Sequence, residues 1–271
     1  MPTYDVKPLQ ARLLNILLTF DNVCREQHLN YYITGGTLLG AVRHRGFIPW
    51  DDDLDIAMPR PDYEWLIAHA KDCLPQPLEF VCAENDANYF FPFAKIQDAG
   101  TTLIERRGFN TLGGIYIDVF PLDGVPQGKT TQKLHFARYR LLTKLLYLTC
   151  RDPKKHKKGL GSFVPFLCRQ LFTPAAIQQS IRKLLLKYDY DRSSLAADYD
   201  DRQRGVMDKK VFGTPSPIMF EEKEVWGMER PAVYLEKKYG DYMQIPAVEQ
   251  QIQHNFSHID LDKPYREYKR P

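Results

Sequence analysis

Residues 35–58, GGTLLGAVRHRGFIPWDDDLDIAM, place a glycine pair before a helix-like run and then four aspartates within five positions. Phe47, Ile48, Trp50 and Leu54 flank these aspartates, so the run lies in a partly apolar setting. Carboxylates packed this closely raise one another's pKa unless a cation or hydrogen-bond donors neutralise them. The stretch therefore predicts a cation site, and any fold of the chain has to accommodate it.

The spacing of the aspartates indicates which cation. On an extended backbone Asp51, Asp53 and Asp55 share one face at intervals of about 6.5 to 7 Å, while Asp52 and Leu54 point away. Hard oxygen ligands suit Mg²⁺ or Mn²⁺, which typically use one or two protein carboxylates and complete their shell with substrate phosphates. We therefore expect a metal-assisted phosphoryl-transfer site.

Two other interpretations of the aspartate run remain open. An exposed acidic turn is the usual meaning of such a run, but its apolar flanks argue against one here. A calcium loop of the EF-hand type requires Gly at its sixth position and Glu at its twelfth, where this chain has Ile56 and Asp62.

Two further motifs support phosphate chemistry. Gly35, Gly36 and Thr37 form a glycine turn before a helix, which presents backbone N–H groups to phosphate oxygens. Asp118, in IYIDVFPLD, occupies a strand position that would otherwise favour an apolar residue. It is a candidate to complete a two-metal site or to deprotonate an attacking hydroxyl, with a purely structural aspartate as the alternative.

Hydrophobic periodicity predicts a mixed α/β fold through about residue 125. We expect helices over residues 9–28, from a cap at Thr37, and from a cap at Asp62, and strands in NYYIT, WDDDLDIAM, FPFAKIQ and GGIYIDVF. The following segment is helical and basic, and RDPKKHKKGLGS in it is predicted to be a loop. His254 and His258, four residues apart, are interpreted as ordinary histidines on a helix rather than a metal pair.

The net charge of +3 conceals a strong asymmetry, because residues 129–187 hold fourteen Lys or Arg and one acidic residue, Asp152. Lys133, Arg140, Lys144 and Arg151 recur on one helical stripe. The stripe predicts peripheral contact with an anionic membrane or glycolipid, with a solvated face as the alternative. A basic nucleic-acid-binding protein without catalysis is disfavoured, because the chain has no recognisable reader motif.

The five cysteines are an odd number without a C-x-x-C pair, which favours free thiols. The N-terminal sequence has no export signal, and no stretch reaches the roughly 18 apolar residues of a spanning helix. The expectation is a cytoplasmic protein, peripheral on the inner face of the cell membrane.

The stretch GGTLLGAVRHRGFIPWDDDLDIAM closely resembles the signature of the LicD family, a branch of the nucleotidyltransferase-fold superfamily that includes phosphocholine transferases and fukutin-related ribitol-phosphate transferases. FPFAKIQDAGTT, IYIDVFPLDGVP and YLEKKYGDYMQIP are similar to later segments of that family. The basic middle of the chain departs most from it.

The resemblance implies a nucleotidyltransferase-like mixed sheet and a metal-dependent transfer of a substituted phosphate from a CDP-activated donor to a glycan or glycolipid hydroxyl. Carried over by position, it assigns the metal and catalysis to Asp53, Asp55 and Asp118 and the donor phosphates to Gly35, Gly36 and Thr37. Candidate phosphate contacts are Arg43, His44 and Lys95, and candidate aromatic contacts to a choline head group are Trp50, Tyr116, Trp226, Tyr234, Tyr239 and Tyr242. Transfer of CMP or AMP by the same carboxylates remains the alternative.

We predict three parts of the chain: a catalytic core at 1–128, a basic helical insertion at 129–200, and a C-terminal segment at 201–271 that completes the active-site region.

Overall fold

The computed structural model describes residues 4–105, 111–151, 160–200, 202–254 and 256–269. Within these residues the helices are α1 (Lys7–Gln27), α2 (Gly35–His44), α3 (Arg60–Cys73), α4 (Lys129–Cys150), α5 (Leu160–Leu171), α6 (Pro174–Leu185), α7 (Lys209–Phe212) and α8 (Pro231–Tyr239). The strands are β1 (Tyr32–Ile33), β2 (Asp55–Pro59), β3 (Leu78–Val81), β4 (Ala94–Glu105), β5 (Leu112–Gly124), β6 (Leu195–Ala197), β7 (Met207–Asp208), β8 (Ser216–Phe220), β9 (Lys223–Gly227) and β10 (Phe256–Asp260). This confirms the predicted mixed α/β class.

A mixed sheet forms the centre of the fold, with strand order β1-β2-β5-β4-β10. Strands β2 and β5 run parallel, whereas β1, β4 and β10 pair antiparallel with their neighbours. Strand β3 adds to β4, and β6 joins β5 to β7. Because β10 pairs with β4, the end of the chain closes onto the same sheet that carries the aspartates. The division into three parts remains a prediction.

The core elements follow the predicted periodicities. Helix α1 buries Leu9, Leu13, Leu17 and Phe20 at helical spacing and packs against β4 and β5. On β5 the alternate residues 115, 117 and 119 are fully buried, while Tyr116 and Asp118 on the opposite face stay partly accessible. The strand thus delivers a carboxylate to the margin of the core.

The helical region consists of α4, α5 and α6, with its own apolar cluster around Phe136, Leu146, Ile177 and Ile181. The predicted stripe is confirmed as one face of α4, on which Lys133, Arg140 and Lys144 are exposed, and Arg151 follows the last turn. Among the described residues no helix is both long and apolar enough to cross a membrane.

Several predicted boundaries are wrong. Helix α2 begins after Thr34 rather than at Thr37, because the Thr37 hydroxyl accepts the N–H of Asp55 at 2.8 Å. Helix α3 begins after Pro59, and the Asp62 carboxylate inside its first turn accepts hydrogen bonds from Asn30.

The other differences concern strands and loops. Strand β2 starts only at Asp55, so residues 51–54 precede the strand. His258 lies on β10, so the helix predicted for the histidine pair is absent there. Most of the predicted basic loop, residues 152–159, lies outside the described residues, and α5 already begins at Leu160.

Candidate active site

Two strand aspartates face each other at the centre of the sheet. In the parallel pair of β2 and β5, Asp55 and Asp118 are partners in register, and the N–H of Asp118 donates to the carbonyl of Leu54 at 2.9 Å. Residues at the same level of neighbouring strands project from the same face. The fold therefore brings together two carboxylates that are far apart in the sequence.

The glycine pair lies directly against these carboxylates. A Cβ on Gly35 would come within 2.9 Å of Oδ2 of Asp55, and one on Gly36 would come within 2.9 Å of Oδ2 of Asp51. Gly35 also has a φ of +55°, which favours glycine. Absence of side chains thus lets the acidic run approach the first turn of α2, whose positive dipole end favours negative charge.

The acidic run alternates between two environments, as predicted. Asp52 is buried and points away from the site, whereas Asp51, Asp53 and Asp55 are partly accessible on the other side. Burial, followed by the charge of Asp53 and a hydrogen bond with it, raises the pKa of Asp51 to about 8. Burial, with Asp53 and Asp118 adding to it, also raises the pKa of Asp55. These carboxylates are close enough to resist simultaneous ionisation.

Lys95 is the counter-charge of Asp118. Its Nζ lies 3.3 Å from Asp118 Oδ1 and 3.3 Å from Glu105 Oε1, and it sits over the ring of Tyr116 at 3.0 Å from the centroid. Burial raises the pKa of Asp118 to about 6 despite the opposing effect of Lys95. A contact between Lys95 and a substrate phosphate stays a prediction; in the structure Lys95 is bound by two carboxylates.

The site has the chemistry of a divalent-cation site. Its donors are carboxylate oxygens, and burial together with the neighbouring carboxylates raises the pKa values of Asp55 and Asp118. No three His, Cys, Asp or Glu side chains among those residues converge on one point as a ready-made metal cage. An ion that uses one or two carboxylates and phosphate oxygens needs no such cage; Mg²⁺ or Mn²⁺ at Asp53, Asp55 and Asp118 stays a prediction.

Two cationic side chains at the site were missed by the sequence interpretation. Nδ1 of His254 donates to Asp52 Oδ1 at 2.7 Å, and its Nε2 lies 3.6 Å from Asp53 Oδ2; the hydrogen bond with Asp52 raises the pKa of His254 to about 9. Lys238 on α8 has its Nζ 3.7 Å from the Cβ position of Gly35. The segment YLEKKYGDYMQIP contains Lys238 and is part of the resemblance, so a signal for it existed. Nothing in the sequence near His254 reveals its distant carboxylate partners.

Three predicted substrate contacts lie at the C-terminal end of α2 and just beyond it. Arg43 donates to the carbonyls of Tyr242 and Gln244 at 3.0 and 3.1 Å, and to His44 Nε2 at 2.9 Å. Trp50 meets the edge of the His44 ring at 6.4 Å between centroids. In the structure Arg43 thus holds the segment after α8, and its role at a phosphate stays a prediction.

In several of the candidate aromatic residues, the ring face or the hydroxyl group is already in contact with another side chain. Tyr116 carries Lys95, and Trp226 carries the guanidinium of Arg25 at 4.1 Å. The Tyr234 hydroxyl is 2.6 Å from the Thr34 hydroxyl at the start of α2.

A cavity of about 700 Å³ is lined by Lys95, the residue that pairs with Asp118. Its lining also includes the strand residues Glu105 and Tyr116 and, from α4 and α5, Thr149 and Arg169. The cavity therefore lies between the sheet and the helical region.

Comparison with known proteins supports the resemblance to the LicD family. Residues 28–144 match the family model described as the LicD/FKTN/FKRP nucleotidyltransferase domain. The matched range includes the glycine turn, the acidic run and Asp118. Over 263 residues the chain is 28% identical to the lipopolysaccharide cholinephosphotransferase LicD of Haemophilus influenzae, covering 94% of this chain and 97% of that protein.

Two shorter similarities accompany these. An uncharacterized protein of Rickettsia prowazekii is 49% identical over 51 residues, 19% of this chain and 18% of that protein. The mannosyltransferase regulator 4 of Saccharomyces cerevisiae is 26% identical over 117 residues, 42% of this chain and 9% of that protein.

Proposed function

We propose that the chain, whose residues 28–144 match the LicD family model and which resembles a LicD enzyme over nearly its whole length, transfers phosphocholine from a CDP-activated donor to a hydroxyl of a lipopolysaccharide or another cell-surface glycan. The similarity to the Haemophilus influenzae enzyme spans nearly the whole of both chains, which supports the choice of head group and acceptor. Mg²⁺, or Mn²⁺ in its place, is part of the proposal.

One observation carries the proposal. Asp55 and Asp118 are paired in register on parallel strands, and the first turn of α2 lies against Asp55 without an intervening side chain. Phosphoryl transfer depends mainly on positioning and on stabilisation of charge. A rigid carboxylate pair beside a helix N-terminus provides both.

Each group then has a distinct task. Asp53 and Asp55 hold the divalent ion, which when bound neutralises the diphosphate and the departing CMP. The backbone N–H of Gly36 orients the donor phosphates, since the N–H of Gly35 already donates to the Tyr234 hydroxyl at 3.3 Å. Asp118 accepts the proton of the acceptor hydroxyl, supported by its raised pKa of about 6. Lys95 positions that carboxylate.

The decisive experiment incubates the protein with CDP-choline, Mg²⁺ and a panel of glycan acceptors, followed by mass analysis. Release of CMP with a phosphocholine-bearing glycan supports the proposal. Release of phosphocholine with a CMP-bearing glycan would establish nucleotidyl transfer instead. Asp53→Asn and Asp55→Asn should each abolish this transfer while leaving the fold intact, and Asp72→Asn is their matched control because Asp72 is exposed on α3.

The head group has its own test. Calorimetric titration with CDP-choline, CDP-glycerol and CDP-ribitol should give the highest affinity for CDP-choline. Equal affinities would leave the transfer reaction in place but remove its selectivity for choline. A cytoplasmic location stays a prediction.

A further inference from the structure

The outer surfaces of α4 and α5 expose an unusual amount of apolar side chain. We define the α4–α5 face as the exposed apolar residues Leu134, Leu141, Phe163, Phe166, Leu167 and Leu171. Leu141 is 68% exposed, Leu171 65% and Phe166 52%. Single exposed apolar residues are normal on a protein, but a contiguous group marks a contact surface.

Helical geometry groups the members within each helix, and Leu134 and Leu141 lie seven residues apart on α4. On α5, Phe163, Phe166, Leu167 and Leu171 fall within one broad side, on which Gln170 is the polar member. This pattern suits a helix whose outer side contacts an apolar medium. Helix α5 has 12 residues, which is too short to span a bilayer but sufficient to lie in its interface.

Charge identifies the occupant of this surface. Lys133, Arg138, Arg140 and Lys144 are exposed on α4, next to the leucine pair. The sequences of α4 and α5 contain no acidic residue. The connecting sequence includes KKHKK at 154–158, although these residues lie outside the described part of the chain. Basic residues beside an apolar helix face complement an anionic lipid surface.

A second copy of the chain is a poorer occupant. Symmetric dimers bring the same patch of each subunit together, so the exposed basic residues of α4 would face their own counterparts. Like charges brought together in this way oppose association. Lipid head groups carry the opposite sign and avoid that repulsion.

We propose that the α4–α5 face docks on an anionic lipid surface, with the phenylalanines and leucines of α5 in the acyl boundary and the basic stripe of α4 at the head groups. This docking does not depend on the proposed transfer reaction. It also explains the position of the 700 Å³ cavity, whose lining includes Arg169 and Phe172 at the end of α5 and Lys95 beside Asp118. A glycan anchored in the docked membrane would enter the site from this side.

Vesicle sedimentation tests the surface. The protein should bind vesicles of equal parts phosphatidylglycerol and phosphatidylcholine and should not bind phosphatidylcholine alone. Each basic residue near an anionic surface contributes about 1 kcal/mol, so Lys133→Gln/Arg140→Gln/Lys144→Gln should weaken binding by about a hundredfold. Phe166→Ser/Leu171→Ser should weaken it comparably. Lys7→Gln/Lys71→Gln/Lys223→Gln and Val248→Ser/Ile252→Ser, which change exposed residues elsewhere, should bind as the parent does.

A fluorescence probe tests insertion directly. Tryptophan emission of Phe166→Trp should shift to the blue with anionic vesicles and be quenched by brominated acyl chains, whereas Val248→Trp should show neither change. The parent protein supplies the background from Trp50, Trp65 and Trp226.

Three results would overturn the proposal: no binding of the parent to anionic vesicles, equal binding by parent and both face variants, or a dimer that Phe166→Ser/Leu171→Ser converts to monomer without any lipid binding. Asp53→Asn should still sediment with vesicles, and the face variants should retain activity on a lipid-free acceptor. Loss of docking and loss of catalysis are therefore distinguishable.

Discussion

The sheet region and the helical region of this protein depart from ordinary burial in opposite ways. Around β2, β4 and β5, charged side chains such as Lys95, Glu105 and Asp123 are buried and paired. On α4 and α5, large apolar side chains such as Leu141 and Phe166 are exposed. Burying charge is costly unless it is compensated, and exposing apolar area forgoes a favourable term. The first departure is therefore typical of chemistry, and the second of contact with a partner.

A chain of ion pairs joins the two regions. Arg60 on α3 binds Asp123 of β5 through two hydrogen bonds of 2.6 and 2.7 Å. Arg60 also pairs with Glu64, which is bound in turn by Arg182 of α6. The junction is thus polar and, at Asp123, fully buried.

Asp123→Asn should have the largest effect on stability. It leaves the buried Arg60 cation without its bidentate partner, which should lower the free energy of unfolding by about 3 to 5 kcal/mol. Urea denaturation would measure this loss. Arg182→Gln removes a half-exposed pair at the outer end of the same chain, so a loss as large as that of Asp123→Asn would contradict the importance assigned to burial.

Asp118→Asn should have the largest effect on catalysis. The variant keeps the shape of the side chain but removes its charge and its capacity to accept a proton, so kcat should fall by about 10²- to 10³-fold. The midpoint of urea unfolding should remain close to that of the parent, because burial and the charges of Asp53 and Glu105 oppose the ionised form of Asp118 while Lys95 favours it. Full turnover by the variant would confine Asp118 to a structural role. Asp72→Asn controls for loss of a surface charge.

His135 should make stability depend on pH. Its ring lies 2.6 Å from the hydroxyl of Tyr199, and burial, with nearby Lys187 and Arg138 adding to it, lowers its pKa to about 4. The unfolded chain binds this proton near pH 6.5, so the contribution is complete above about pH 6.5 and is lost as the pH falls toward 4. The contribution of His135 to the free energy of unfolding is at most about 3 kcal/mol.

Urea unfolding at several values of pH between 7.5 and 4 isolates this effect if the parent is compared with His135→Gln. The glutamine variant should lose less stability across the interval, because it has no proton to gain. Equal slopes for the two proteins would show that His135 is not the group responsible.

Features of the fold that depend on residues close in the sequence could be predicted, whereas features that depend on distant residues could not. Helix α1 and strand β5 follow from local periodicity, and both are confirmed. The starts of α2 and α3 were wrong because Thr37 and Asp62 have the composition of caps but are engaged by other parts of the chain. Each of these side chains belongs to the third residue of its helix, past the position where an N-cap acts.

The candidate site divides in the same way. Asp53, Asp55 and the glycine turn are close in the chain, so their proximity could be predicted, and the extended backbone explains their common face. The contacts of His254 with Asp52 and Asp53 join residues that are far apart in the sequence. The pairing of Lys95 with Asp118 depends on the register of β4 against β5. The spacing of residues in the sequence does not predict that register.

The smallest expected effect concerns Gly36, and it separates activity from stability. Alanine at a helical position is favoured over glycine by up to about 1 kcal/mol, but its Cβ would lie 2.9 Å from Asp51 Oδ2. Asp51 can rotate away, so Gly36→Ala should leave the free energy of unfolding equal or slightly higher while activity falls severalfold. Gly128→Ala, before α4 and away from the carboxylates, should leave activity unchanged. If Gly36→Ala lost stability and activity in proportion, the close approach of α2 to the acidic run would serve folding rather than catalysis, and the contrast between the two regions would weaken.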